Sequence, residues 1–145
     1  MATLHVRTVG GSPNSAIVDA NYDSWLAVAL DSSQAASGNV SPVNYNLTGD
    51  TANQDEVYGV LGSKASSTES RAEDTLIIGG IVPMRFAATY AAGTHQGLRV
   101  VSSANAGIVQ HSTTDGVGRG RIVDGGTLNV KGASVNVVYV DLDAN

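Results

Sequence analysis

The residues that could do chemistry are few and widely spaced in this sequence. The three histidines, His5, His95 and His111, show no metal-ligand spacing, and no HxxH, HExxH or GxSxG motif occurs. Cysteine is absent, which excludes disulfides and thiolate metal sites. The sequence therefore predicts no catalytic residue, no metal site and no cofactor, and each histidine is interpreted as an ordinary surface or rim residue.

A glycine-rich motif, GVGRGR at residues 116–121, raises the question of phosphate binding. A turn precedes it, β-type sequence follows it, and its glycine spacing differs from the dinucleotide-binding fingerprint. We therefore favour a strand softened by glycines. Arg119 and Arg121 would lie on one face of this strand, either as solvated side chains or as a small cationic patch that pairs with an acidic partner surface.

Two other features suggest chemistry and have simpler explanations. Asp141 and Asp143 fall short of the roughly six to eight oxygen ligands that calcium takes, so a solvated tail is predicted there. Trp25 is the only tryptophan, and we interpret it as a core anchor, with an interface anchor as the alternative.

Composition limits the class of protein. The chain has 145 residues, which suits one domain or one domain with an arm, and only 14% are charged, against about 25% in typical proteins. The net charge of −5 lacks the positive field that favours nucleic acid or anionic membranes. We see no signal peptide and no apolar run near the roughly 18–20 residues of a membrane span. We therefore expect synthesis in the cytoplasm and neither nucleic acid nor membrane as a partner.

Hydrophobic patterning predicts the elements. Strand patterns separated by turns recur about every 8–12 residues, which predicts an all-β fold: a small antiparallel barrel or sandwich with long loops. Residues 1–14 are predicted to form an extended N-terminal arm, because alternation over residues 3–9 is followed by the turn sequence GGSPN. Residues 15–145 would form a single β-rich domain, of which residues 75–142 are the most regular part.

Individual elements follow from the same patterns. Residues 15–31 fit either a helix or a strand, and a strand is favoured. A long loop with one short strand at 43–47 is predicted for residues 32–55, and turns are predicted at 91–93 and 124–126.

The order of strands and turns over residues 78–142 resembles the small capsid decoration (cement) proteins of tailed bacteriophages, which have a compact β-barrel (β-tulip-like) domain. The first four corresponding segments are a Gly–Val strand at 80–88, an AAG turn at 91–93, a strand at 98–101 and a turn at 105–107. The last four are a short strand at 108–110, a VGRG segment at 117–120, a glycine turn at 124–126 and a closing valine-rich strand at 135–142. Two departures stand out: the residues before 78 have no counterpart, and residues 94–96 lengthen the turn after Gly93.

This resemblance implies a non-enzymatic virion protein that binds the major capsid protein on the outer surface of the shell, as a homotrimer, and stabilises the shell. An arm often makes contacts in such families, so the predicted capsid or subunit contacts are Leu4, His5, Val6, Arg7, Arg119 and Arg121. The alternatives are another virion component, such as a head-fibre base or tail protein, a small β-barrel that binds carbohydrate or another ligand, and an enzyme with an unrecognised site.

Overall fold

The computed structural model describes residues 6–13, 24–30, 43–62, 74–130 and 132–145. These residues form ten strands and one four-residue helix, so the prediction of an all-β fold is confirmed. The strands are β1 Arg7–Pro13, β2 Ala27–Leu30, β3 Val43–Leu47, β4 Gly59–Leu61, β5 Asp74–Gly79, β6 Ile81–Arg85, β7 Val100–Ser102, β8 Val109–His111, β9 Arg121–Val130 and β10 Ala133–Asp141, and the helix, α1, is Ala92–His95.

The first five strands pair in a closed ring in the order β1-β3-β2-β4-β5, and β5 returns to β1. Closure leaves no unpaired strand edge in this ring. Every pair in it is antiparallel except β1 and β3, which are parallel. The ring encloses a small core that consists of Leu26, Val28, Tyr45, Leu61 and Leu76.

The second half of the chain adds a three-stranded antiparallel sheet, β6-β10-β9, and the strand pair β7-β8. A larger core cluster includes Met84, Phe86 and Val138 from this half, and it also includes Ala27 and Val60 from the ring, so the two parts share buried apolar surface. Burial of this surface is the main stabilising contribution to such a fold.

Trp25 packs partly buried against the larger cluster, which agrees with its interpretation as a core anchor. Its backbone φ is 73°, an uncommon value for a residue other than glycine. The conformation is held because the Trp25 N–H donates to Leu61 O at 2.9 Å and its carbonyl accepts from Arg85 N at 3.0 Å.

The predicted N-terminal arm differs most from the structure. Residues 7–13 pair with β3 on one side and β5 on the other, so they are a strand of the ring and not a separate arm. Their alternating pattern correctly predicted β structure. It did not reveal the partners, which lie more than thirty positions further along the chain. Residues 1–5 and 14 lie outside the described residues.

The turn predicted at residues 124–126 is also wrong, because these residues lie within β9 and pair with 137–139 of β10. Gly125 is needed there for close approach, since a Cβ atom at this position would lie 2.4 Å from Cγ of Tyr90. The turn predicted at 91–93 is instead the beginning of α1. The glycine-softened strand begins only at Arg121, and Arg119 forms an isolated bridge with Val100.

Candidate functional site

A cationic pocket lies beside the β7–β8 strand pair. Leu98 and Arg99 line it ahead of β7, residues 112–116 line it after β8, and Arg121 lines it at the beginning of β9. The cavity measures about 200 Å³ and brings together two guanidinium groups, three hydroxyl side chains and the carboxylate of Asp115. Its two arginines contrast with the net charge of −5 for the whole chain.

Arg99 has an unusual environment in this pocket. Its Nε atom is buried and has no hydrogen-bond partner among the described residues. The two rims are joined by the backbone, because Ser112 N donates to Arg99 O at 2.8 Å. Ser112 Oγ in turn donates to Thr114 O at 3.0 Å and fixes the loop that follows β8. The pocket therefore combines a tethered loop with a buried donor that lacks an acceptor.

Among the predicted site residues that the structure describes, Arg121 is the one that lines this pocket. Its Nε donates to Asn145 O at 3.0 Å, and its Nη1 donates to Gly97 O at 3.1 Å. These two bonds orient the guanidinium plane. Arg99, its counterpart across the pocket, was missed by the sequence analysis because it lies beside a short strand without any motif.

Arg119 occupies a different place from Arg121, and the two do not form a common patch. Its guanidinium donates to Tyr58 O at 2.8 Å, to Ile78 O at 3.0 Å and to Leu142 O at 3.3 Å. The side chain thus connects three segments of the protein's own backbone, which differs from both interpretations of the sequence, a solvated side chain and a contact with a partner.

The glycines of the GVGRGR motif explain how Arg119 reaches this position. A Cβ atom at Gly118 would lie 2.7 Å from Val100 O, and one at Gly120 would lie 2.5 Å from Asp141 O. Both glycines have positive φ, +117° and +61°, which side chains disfavour. The motif therefore allows close backbone approach on both sides of Arg119, and it serves the fold.

The predicted arm contacts are only partly described. Leu4 and His5 lie outside the described residues, and Val6 is exposed at 43%. Arg7 Nη2 forms an ion pair with Asp143 Oδ1 at 2.7 Å, so it contacts the same chain.

Asp143 is therefore held within the chain, although its side chain remains exposed at 42%. Its Oδ2 accepts a hydrogen bond from Gly80 N at 3.0 Å. This bond and, after it, the Arg7 guanidinium hold the pKa of the Asp143 carboxyl below its ordinary value.

Two histidines that lie sixteen positions apart in the sequence meet in the structure. The ring centroids of His95 and His111 are 5.1 Å apart, and Phe86 contacts His95 edge-on at 4.9 Å. His95 is only 6% exposed, so its interpretation as a surface residue is wrong. Its Nδ1 accepts the Ala91 N–H at 2.9 Å, which assigns the proton of the neutral ring to Nε2.

The pKa of His95 lies below its ordinary value, chiefly because burial disfavours the charged ring and secondly because His111 is close. A neutral buried histidine against aromatic rings is a packing element whose stability depends on pH.

Residues 127–130 and 133–136 form a two-stranded ribbon at the end of the second sheet. They extend beyond the last residue pair that β6 makes with β10, Arg85 with Val137. Because side chains alternate along a strand, the apolar residues share one face and the polar residues the other. The apolar face consists of Leu128, Val130, Ala133 and Val135, none of which is fully buried. The outer edge of β9 pairs with no described strand.

Within the described ranges, no group of three or more His, Cys, Asp or Glu side chains is arranged to hold a metal ion. None of the helical structure described has the length and apolar character required to cross a membrane. Comparisons with known protein families, with curated proteins and with solved structures found no match.

Proposed function

We propose that this chain is a structural virion protein that binds the outer surface of a phage capsid and stabilises the shell. Its partner would be the major capsid protein, and it would act as a homotrimer on the capsid. Two features support the proposal: the resemblance of residues 78–142 to decoration proteins, and the ribbon of residues 127–130 and 133–136. The ribbon is the observation that carries it.

The ribbon offers two means of attachment that the described part of the fold leaves unused. Along the ribbon, the outer edge of β9 at residues 127–130 presents backbone N–H and C=O groups to which a strand of the shell protein can add. The apolar face of Leu128, Val130 and Val135 adds buried surface to such a contact. The sequence from Gly125 to Asn136 contains no charged residue apart from Lys131, so the contact would depend little on salt.

A decoration role also agrees with how the polar side chains of the interior are used. Ser102 Oγ donates to Thr51 O at 2.5 Å and accepts from Gln54 N at 2.9 Å, and Arg119 connects three backbone segments. These side chains stabilise the scaffold, as a non-enzymatic role requires. Occupation of many equivalent shell sites would favour the assembled capsid by mass action.

The test is to mix the purified protein with expanded, undecorated phage heads. We expect saturable binding at a fixed ratio to the major capsid protein, and a higher melting temperature of the shell in calorimetry. The double variant Leu128→Asn, Val135→Asn should lose this binding, whereas the control Thr127→Ser, Asn129→Ser on the opposite face should retain it. In the otherwise wild-type protein, deletion of residues 1–6, which removes Leu4, His5 and Val6, should also weaken binding to the heads.

Two results would contradict the proposal. One is binding of the Leu128→Asn, Val135→Asn variant at wild-type affinity, which would exclude the ribbon. The other is the absence of binding to any head preparation together with saturable binding to glycans or to purified tails, which would favour one of the other functional classes. Circular dichroism of each variant would establish that the fold is intact.

A further inference from the structure

We propose that the pocket between Arg99 and Arg121 is a binding site for a single oxyanion, a carboxylate or a phosphate group. This inference does not rest on the decoration role. The arguments are the unbalanced charge of the pocket, the buried donor of Arg99 and the fixed orientation of Arg121.

The first argument is charge. Arg99 and Arg121 line the same cavity, and the one carboxylate beside them belongs to Asp115. Within the described ranges, the ion pair with an Asp or Glu side chain is that of Arg7 with Asp143, so neither pocket arginine is paired with an acidic side chain. A second cavity, of about 310 Å³, contains Asp55 and Glu56 and no arginine or lysine. We therefore expect an oxyanion to bind in the cavity lined by the arginines and not in the cavity lined by the carboxylates.

The second argument is the state of Arg99. A buried donor without a partner is destabilising, and such groups are rare in folded proteins. Its Nε is buried and forms no hydrogen bond with the residues described. A small reorientation toward the cavity would let Nε and one Nη donate together to the two oxygens of an oxyanion, the preferred bidentate geometry of arginine.

The third argument is that the remaining parts of the pocket are already in position. Arg121 is oriented by its bonds to Asn145 O and Gly97 O, and the loop that carries Thr113 and Thr114 is tied to β7 through Ser112. Hydroxyl groups can donate to the anion alongside the guanidinium groups. The volume of about 200 Å³ exceeds the roughly 30 Å³ share of one water molecule, so a carboxylate or a phosphate fits with part of its hydration shell.

The experiment is a titration of the full-length, ¹⁵N-labelled protein with sodium acetate and, separately, with sodium phosphate, at constant ionic strength maintained with sodium chloride. We expect saturable shifts of the backbone amides at residues 98–99 and 112–116 and of the Arg99 Nε–H, with dissociation constants of about 1 mM. Amides at residues 55–58, beside the acidic cavity, should not shift. Tighter binding of acetate would indicate a carboxylate ligand, such as an acidic side chain of a partner, whereas tighter binding of phosphate would indicate a phosphate ligand.

Three variants decide whether the pocket is responsible. Arg99→Gln should weaken binding about tenfold, which corresponds to about 1.4 kcal/mol. Arg7→Gln makes the same charge change outside the pocket and should leave the affinity unchanged. Asp115→Asn removes the opposing carboxylate and should tighten binding, a gain that partial unfolding cannot imitate.

The inference is overturned by shifts that remain linear up to about 0.1 M anion, where the Debye length is about 10 Å and general screening dominates. It is equally overturned if Arg99→Gln and Asp115→Asn both bind like the wild type. Loss of binding to phage heads with intact anion binding would contradict only the decoration role, and the reverse result would contradict only the anion site.

Discussion

Replacement of Arg119 by glutamine should destabilise the protein more than replacement of any other described arginine. The guanidinium donates to Tyr58 O at 2.8 Å and to Ile78 O at 3.0 Å, and more weakly to Leu142 O at 3.3 Å. A hydrogen bond from a charged donor contributes about 1.5–3 kcal/mol. Since Arg119 is only half-buried, we count the two shorter bonds at the lower end of this range, which gives a loss of about 3 kcal/mol.

Urea denaturation followed by circular dichroism measures this loss directly. Arg119→Gln should lower the urea midpoint without changing the slope, because the surface exposed on unfolding stays the same. The melting temperature should fall by about 10 °C for a domain of this size. Arg119→Lys should recover about half of the loss, since one ammonium group cannot reach carbonyls of two separate segments as the guanidinium fork does.

Arg121→Gln is the matched control, because Arg121 carries the same charge and also donates to two carbonyls, but through hydrogen bonds that are exposed to solvent, whereas those of Arg119 are partly buried. Its effect should stay within about 0.5 kcal/mol. If Arg119→Gln proves no more destabilising than Arg121→Gln, the side chain does not connect the three segments, and its predicted role as a partner contact regains support.

Two further predictions concern buried contacts. Gly125→Ala should destabilise the protein by about 1–3 kcal/mol, because the new methyl group would clash with Cγ and Cβ of Tyr90. The neighbouring Gly126→Ala is the control and should be nearly neutral, because its methyl group would have no atom within 4 Å. Equal urea midpoints for the two variants would contradict this reasoning. Because the pKa of His95 is lowered in the folded state, the stability that depends on its neutral form is present above the unfolded pKa of about 6.5 and is lost as pH falls toward the folded pKa. The urea midpoint of the wild type should therefore fall between about pH 7.5 and 5, and this fall should be smaller in His95→Gln than in His111→Gln. A His95→Gln variant whose urea midpoint falls with pH as steeply as that of the wild type would contradict this assignment.

Local patterns in the sequence predicted the elements better than their partners. The short strand at 43–47 was predicted with the bounds that the structure shows, and the closing valine-rich strand at 135–142 coincides with β10 to within two positions at either end. The parallel pairing of β1 with β3 was not predictable, because no local signal specifies which distant strands become neighbours.

Glycines and histidines were misinterpreted for a common physical reason. Gly125 permits the approach of Tyr90, and His95 is buried by packing against Phe86 and His111, so the role of each residue is set by contacts distant in sequence. The candidate pocket shows the same limit. Arg121 was named from its motif, but Arg99 is recognisable only when the two guanidinium groups are seen to share a cavity.

The closed ring also has a consequence for how the protein folds. β1 can pair with β5 only after the intervening chain has been formed, and Arg7 and Asp143 are separated by 136 positions. In contrast, β9 and β10 follow one another in the chain. Distant contacts are formed at a greater loss of chain entropy and slow the folding of β proteins. During translation, at about 5–20 residues per second, β1 would remain unpaired with β5 for several seconds, exposed to chaperones or to aggregation.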